Sequence, residues 1–255
     1  MISFFKILKS RNKPLFYYGW SCIVAAVCCV GLMMVQNTQV FGINAWIKPF
    51  KFFISTAIFV FTMGWIMIYL EEKRKVTVYS WMVIAVFSFE NIYISFQAAK
   101  GQLSHFNISS AFHGMMFSLM GLAITLMTLW TGYIGYLFFI KKFPSLPQAY
   151  VWGIRLGIVF FVIFAFEGGL MAARLAHTVG TKDGGAGLPL INWSTAFGDL
   201  RVAHFLGMHS LQLLPLFSYY VARNIKITLI TAAAYFIFTS LLFVQALAGK
   251  PFIHF

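Results

Sequence analysis

The chain has 255 residues, of which 60% are hydrophobic, 19% aromatic and only 10% charged, with a net charge of +13 and a mean hydropathy of +0.82. Soluble domains carry about 25% charged residues, so this composition excludes a water-soluble globular domain and points to an all-α, polytopic membrane helix bundle. The positive charge does not mark a nucleic-acid binder, because Lys and Arg fall in short segments between apolar runs, where they anchor helices to the inner leaflet.

Seven apolar runs reach the roughly 20 residues that a spanning helix needs. They lie near 16–36, 52–70, 77–98, 112–140, 149–177, 202–222 and 227–248. They are expected to form one transmembrane domain over residues 1–255. In lipid each must be helical, because every backbone N–H and C=O needs an internal partner.

The first run is as long as a span, and no small-x-small cleavage site follows it, so it is expected to stay as the first helix. Cys22, Cys28 and Cys29 all fall inside it. Without metal-ligand spacing they read as small apolar side chains. Pro49 stands just before the second run, where proline is tolerated at a helix start. The segment KGQLSHFNISSAFHG (100–114) joins the third run to the fourth and is rich in hydrogen-bonding groups. Gly153 and Gly157 form a G-x-x-x-G on the fifth run, a notch for a neighbouring helix. The segment 181–201 is long and glycine-rich, in the manner of a lid or binding loop. Pro215 is expected to kink the sixth helix.

Basic residues set the orientation. Lys6, Lys9, Arg11, Lys13, Lys73, Arg74, Lys75, Lys141, Lys142, Arg223 and Lys226 fall on one side of a seven-span topology. Lys48, Lys51, Lys100, Lys182, Arg201 and Lys250 fall on the other. The positive-inside rule then predicts a cytoplasmic N-terminus and an external C-terminus.

That topology gathers the polar residues at outer helix ends. Glu90, Gln97, His113, Glu167, Arg174, His204, His209 and Gln212 all fall there, on the third to sixth helices. At 1.5 Å rise per residue, Glu90 and His209 lie roughly 10 Å below the outer ends of their helices and Glu167 about 15 Å. Ionisable groups at such depth usually face a cavity and carry function. Glu90, Glu167 and Arg174 are therefore the candidate catalytic groups. His113, His204, His209 and Gln212 are the candidate cofactor-binding groups, with His209, His113 and Glu167 as a metal-ligand set.

Spacing assigns faces. Glu167 and Arg174, seven apart, share a stripe and are expected to pair. Glu90 has no cation on its own helix. His204 and His209 are about 140° apart around theirs, so they cannot both ligate one metal from an undistorted helix. His209 and Gln212 share a face, expected to look into the cavity. His204 is expected nearer the outer headgroups, on the face of Arg201.

The stretches AWIKPFKFFISTAIF (45–59), SHFNISSAFHGMMFSLMG (104–121) and DGGAGLPLINWSTAFGDLRVAHFLGMHSLQLLP (183–215) resemble a family of bacterial seven-helix hypothetical integral membrane proteins. The resemblance spans roughly the second to sixth helices. It implies a multi-pass protein of the bacterial cytoplasmic (inner) membrane and brings no activity with it. Seven-helix zinc hydrolases fit less well, because their H-x-x-x-H pair belongs on the last helix, which here has no histidine.

Three uses of the outward-facing residues follow. Imidazoles with carboxylates suit a transition metal or a haem iron, for redox or hydrolytic chemistry at the outer leaflet, and this is the leading expectation. The second is a proton-coupled small-molecule transporter, against which the lack of an inverted repeat counts. The third is a sensor for a small ligand arriving from outside. Enzyme and non-enzyme readings both stay open, and the bilayer is the one partner common to all three.

Overall fold

The computed structural model describes residues 2–185 and 187–254 of the chain. It is all-helical apart from two short β-pairs, and it divides into two compact units, 1–127 and 128–255. Six of its helices are long and apolar enough to cross a membrane: Lys13–Val35, Ile47–Leu70, Lys73–Ala99, Ala111–Ile140, Gln148–Arg174 and Ile225–Leu247. The expected sixth run takes a different form. It is an α-helix over Arg201–Phe217 that passes into a π turn over Ser218–Ala222.

In the first unit, α1 (Ile2–Arg11) precedes α2 (Lys13–Val35). The apolar pattern begins only at 16 and gives no signal for α1, which is short and carries Lys6, Lys9 and Arg11. Asn12 separates the two helices. Its side chain accepts from Leu15 N at 3.1 Å, capping α2, and donates to Ser80 Oγ at 2.8 Å. Pro14 occupies the first turn, where its missing N–H costs nothing. Arg11 lies over the Trp65 ring, 3.8 Å from its centroid, and donates to Trp65 O and Tyr69 OH.

A β-hairpin of β1 (Gln39–Val40) and β2 (Ile43–Asn44) leads from α2 into α3 (Ile47–Ile66), which ends in a 3-10 turn, Met67–Leu70. Asn44 donates to Met33 O and Gln36 O, taking up carbonyls that the end of α2 leaves open. Trp46 donates from its indole to Gln36 Oε1 at 2.7 Å and packs with Cys29, Ala45 and Ala98. Cys29 is thus the small apolar filler expected. α4 (Lys73–Ala99) follows, and α5 (Ala111–Ile140) carries the chain across the boundary at 127.

The second unit is organised by two antiparallel helices in backbone contact, α6 (Gln148–Arg174) and α7 (Arg201–Phe217). A Cβ at Gly153 would lie 2.8 Å from Leu214 O, and one at Gly157 would lie 2.9 Å from Ser210 O. On α7, a Cβ at Gly207 would enter the Phe164 ring. Ser210 Oγ donates across the contact to Gly157 O at 3.0 Å. The G-x-x-x-G notch is therefore a site of close helix packing, as membrane helices use small residues. α8 (Ile225–Leu247), capped by Asn224, closes the unit through Phe236 against Phe160 and Phe164 and through Leu242 against Val202 and Ala203.

Pro215 lies inside α7, and the helix leaves α geometry just after it, with Arg223 N bonding Ser218 O five residues back. A π turn after an internal proline relieves the ladder that proline interrupts.

The α6–α7 contact yields a paired prediction. Gly157→Ala presses a methyl against backbone that cannot swing aside and should cost about 1–3 kcal/mol of stability. Gly169→Ala, on the same helix with nothing within 4 Å, should cost nothing and raise helix propensity by up to about 1 kcal/mol. Equilibrium unfolding in mixed micelles measures both. Equal losses would mean that the notch is not a packing contact.

Candidate functional site

The charged start of α7 is a structural clamp. β3 (Thr178–Val179) pairs with β4 (Gly198–Asp199), which brings the ends of the long connection together. Asp199 is 1% exposed and accepts from Ser194 N at 2.8 Å and Arg201 N at 3.0 Å. It also takes Arg201 side-on, through Nε at 2.9 Å and Nη2 at 2.6 Å. Arg201 Nη2 donates in turn to Asn192 O. Such a two-pronged carboxylate–guanidinium pair is both strong and directional, and it ties residues 192–201 to the top of α7.

A second carboxylate ties the other strand. Asp183 accepts from His177 N, Thr178 N and Thr178 Oγ1, and from His177 Nδ1 at 2.6 Å. Burial by itself would raise this carboxyl. The His177 hydrogen bond and charge, with the two Thr178 donors, outweigh it and hold Asp183 well below the ordinary carboxylate range. His177 is thus an anchor of the connection. The segment 181–201, expected as a lid or binding loop, is pinned at both ends.

Within the second unit the two α7 histidines have different partners. His204 Nδ1 donates to Phe164 O on α6 at 2.7 Å, and the ring lies over Gly168, where a Cβ would come 3.3 Å from Cε1. It is a lock between two helices. His209 does share a face with Gln212, donating from Nδ1 to Oε1 at 3.1 Å, and its ring packs against Phe205 at 4.3 Å. That face lies across α7 from the row of Gly207, Ser210 and Leu214 that meets α6.

Glu167 is 7% exposed, and neither of its carboxylate oxygens has a hydrogen-bond partner. The pairing with Arg174 expected from their shared stripe does not form. Arg174 is exposed in the last turn of α6, where its charge complements the helix dipole. Seven residues is about 10 Å of rise, too far for direct contact.

In the first unit, Glu90 is 4% exposed with Oε1 unpartnered, and the charge of Lys48 on α3 acts on it. The same end of α4 carries further buried oxygens without partners, Asn91 Oδ1, Ser95 Oγ and Gln97 Oε1. The amides of Asn91 and Gln97 donate within the unit, whereas the Ser95 hydroxyl has no partner. Asn91 donates to Thr56 Oγ1 at 3.1 Å, and Gln97 Nε2 donates to Leu103 O at 2.9 Å. His113 Nδ1 accepts from Tyr93 OH at 3.1 Å and from Gln97 Nε2 at 3.3 Å. The result is a helix end with several spare oxygens, its amides engaged and one hydroxyl, that of Ser95, unpartnered. Asn91 and Ser95 were missed in the sequence because they are uncharged, although both lie within five residues of Glu90.

Among the described residues, no three of His, Cys, Asp and Glu form a group that could hold a metal ion. The metal-ligand set His113, His209 and Glu167 draws on both units, and Nδ1 of each histidine is already engaged. Comparison with protein-family models, with curated proteins and with solved structures finds no match to this chain.

The Asp183 clamp should be visible in pH dependence. Its carboxyl is depressed in the folded protein, so its stabilising contribution is complete above the unfolded carboxyl value of about 3.9. It fades as pH falls below that value towards the folded one. Amide exchange over 177–200 should therefore be slower in wild type than in Asp183→Asn, by a ratio that is constant from neutral pH down to about pH 5 and shrinks below about pH 4. A ratio of one at neutral pH would show that the clamp does not order the segment.

Proposed function

We propose that the protein is a seven-span membrane protein with a cytoplasmic N-terminus, seated in a bacterial inner membrane. In this reading it binds a small, donor-bearing solute from outside through buried carboxyls, for proton-coupled transport. The span beyond the six long helices, sixth in chain order, is α7 with its π turn, the 17 residues of Arg201–Phe217 continued by the 5 of Ser218–Ala222. Together they are about 30 Å long, the thickness of the hydrocarbon core.

One observation carries the functional reading. Each unit has a carboxyl buried within a spanning helix whose oxygens the protein leaves unfilled: both of Glu167, and Oε1 of Glu90. A buried acceptor without a donor is costly, and in a membrane helix such a group marks a substrate or proton pathway. What fits these oxygens is a donor: a proton, or the ammonium or N–H of a solute that takes the proton's place. This exchange is the basis of proton coupling. The metal or haem reading has less support, because among the described residues no three of His, Cys, Asp and Glu come together as a metal site would require, and the unfilled atoms are carboxyl and amide oxygens and one hydroxyl.

Solid-supported membrane electrophysiology on proteoliposomes tests this directly. Of a panel of amines, amino acids and other small ammonium-bearing solutes, at least one should evoke a protein-dependent charge displacement. Glu167→Gln should abolish it, and Glu90→Gln, whose carboxylate also feels Lys48, should reduce it. No response to any solute, or full responses in both variants, would overturn the proposal. A Soret band or stoichiometric metal in the purified protein would favour the cofactor reading instead.

A further inference from the structure

At the end of the second unit opposite the β3–β4 pair, an open cleft of about 790 Å³ lies between the start of α6 and the start of α8. Its size is that of a small-ligand site. Pro147 and Gln148 form one wall. Arg223 and Lys226 line it at the turn into α8, and Leu229 and Ile230 line it further along α8. No acidic residue is among its lining residues. The cleft thus has two chemically distinct parts in sequence: cations at the helix ends, then an aliphatic strip running along a membrane-spanning helix.

The chain is shaped locally to hold the cations there. Arg223 takes a left-handed backbone, φ 50°, which ends the π turn, and its Nε donates to Tyr220 O at 3.2 Å. Asn224 Oδ1 caps α8 by accepting from Lys226 N and Ile227 N, fixing the turn that carries Lys226. On the opposite wall α6 starts at Pro147 without a side-chain cap, so its first N–H groups and the positive end of its dipole add to the field. Leu229 and Ile230 are exposed, at 39% and 60%, as an acyl-chain contact requires.

We propose that this cleft is a binding site for an anionic phospholipid. The phosphate sits between Arg223 and Lys226 at the uncapped start of α6, and one acyl chain lies along Leu229 and Ile230. The argument for the occupant is complementarity of both kinds at once. A soluble phosphate would use the cations but leave the aliphatic strip idle, and a neutral lipid would use the strip but leave two cations unanswered. Basic clusters at helix ends are the established mode of anionic headgroup recognition. In the proposed orientation the cleft faces the cytoplasmic leaflet. The binding itself does not depend on that orientation or on the solute site.

Native mass spectrometry of the whole protein in detergent, with added phosphatidylglycerol or phosphatidylcholine, is the test. Wild type should retain phosphatidylglycerol preferentially. Arg223→Gln with Lys226→Gln should weaken that retention on the order of tenfold or more, and each single substitution by an intermediate factor. Lys73→Gln with Arg74→Gln, which removes the same charge from the first unit, should leave it unchanged. Glycerol phosphate, the headgroup without chains, should fail to displace the lipid at equal concentration. Equal retention of the two lipids, equal loss in both double variants, or displacement by glycerol phosphate would each overturn the proposal. All variants should elute from size exclusion as wild type does, and the single substitutions keep the test decisive should the double variant not fold.

Discussion

The structure depends on one constraint, the absence of water in the hydrocarbon core. A polar group there must find its hydrogen bond inside the protein or receive it from a ligand. Most polar side chains in this chain obey the first option in recognisable ways. Asn12 and Asn224 cap helices and Asn44 closes one. Ser210 and His204 donate to backbone carbonyls of α6. Glu167 and the end of α4 around Glu90 do not obey it. The division between satisfied and unsatisfied groups separates the residues that hold the helices from those to which the proposed function assigns a solute or proton.

The close approach of α6 and α7 follows from the same constraint. Lipid tails are as apolar as leucine, so two helices in lipid gain little by burying apolar surface against each other, and contact must come from packing and interhelical hydrogen bonds. Gly153, Gly157 and Gly207 remove the side chains that would hold the backbones apart, and Ser210 then reaches Gly157 O. His204 over Gly168 is the last rung of the same contact. Glu167 is carried on a helix whose position is set by this glycine row, and it is therefore buried whether or not it is paired.

Much of this was legible in the residues. The apolar runs anticipate six of the long helices to within a few residues at most ends, and G-x-x-x-G anticipates the notch. What failed did so for physical reasons. The spacing of His204 and His209 fixes the angle between them but not which of them meets α6. The row of Ala203, Gly207 and Ser210, taken with the glycines of α6, holds that information. Glu167 and Arg174 share a stripe but are separated by two turns, and a shared face is not contact. The Asp183 and Asp199 clamps depend on the pairing of 178–179 with 198–199, which joins segments about twenty residues apart and leaves no local pattern. The short helix α1 lacks the apolar length of a span and is held by Arg11 on Trp65, a contact between residues 54 positions apart.

The central claim is that the satisfied polar groups maintain the fold and the unsatisfied ones do not. Comparing the unfolding free energies of His204→Ala and Glu167→Gln in the same micelles tests it most directly. His204→Ala removes the bond to Phe164 O and the ring over Gly168, and should lose about 1–3 kcal/mol. Glu167→Gln keeps the shape of a side chain with no internal partner, and should be as stable as wild type or more so. A loss in Glu167→Gln equal to that in His204→Ala would show that this carboxyl is part of the scaffold, and would contradict the account.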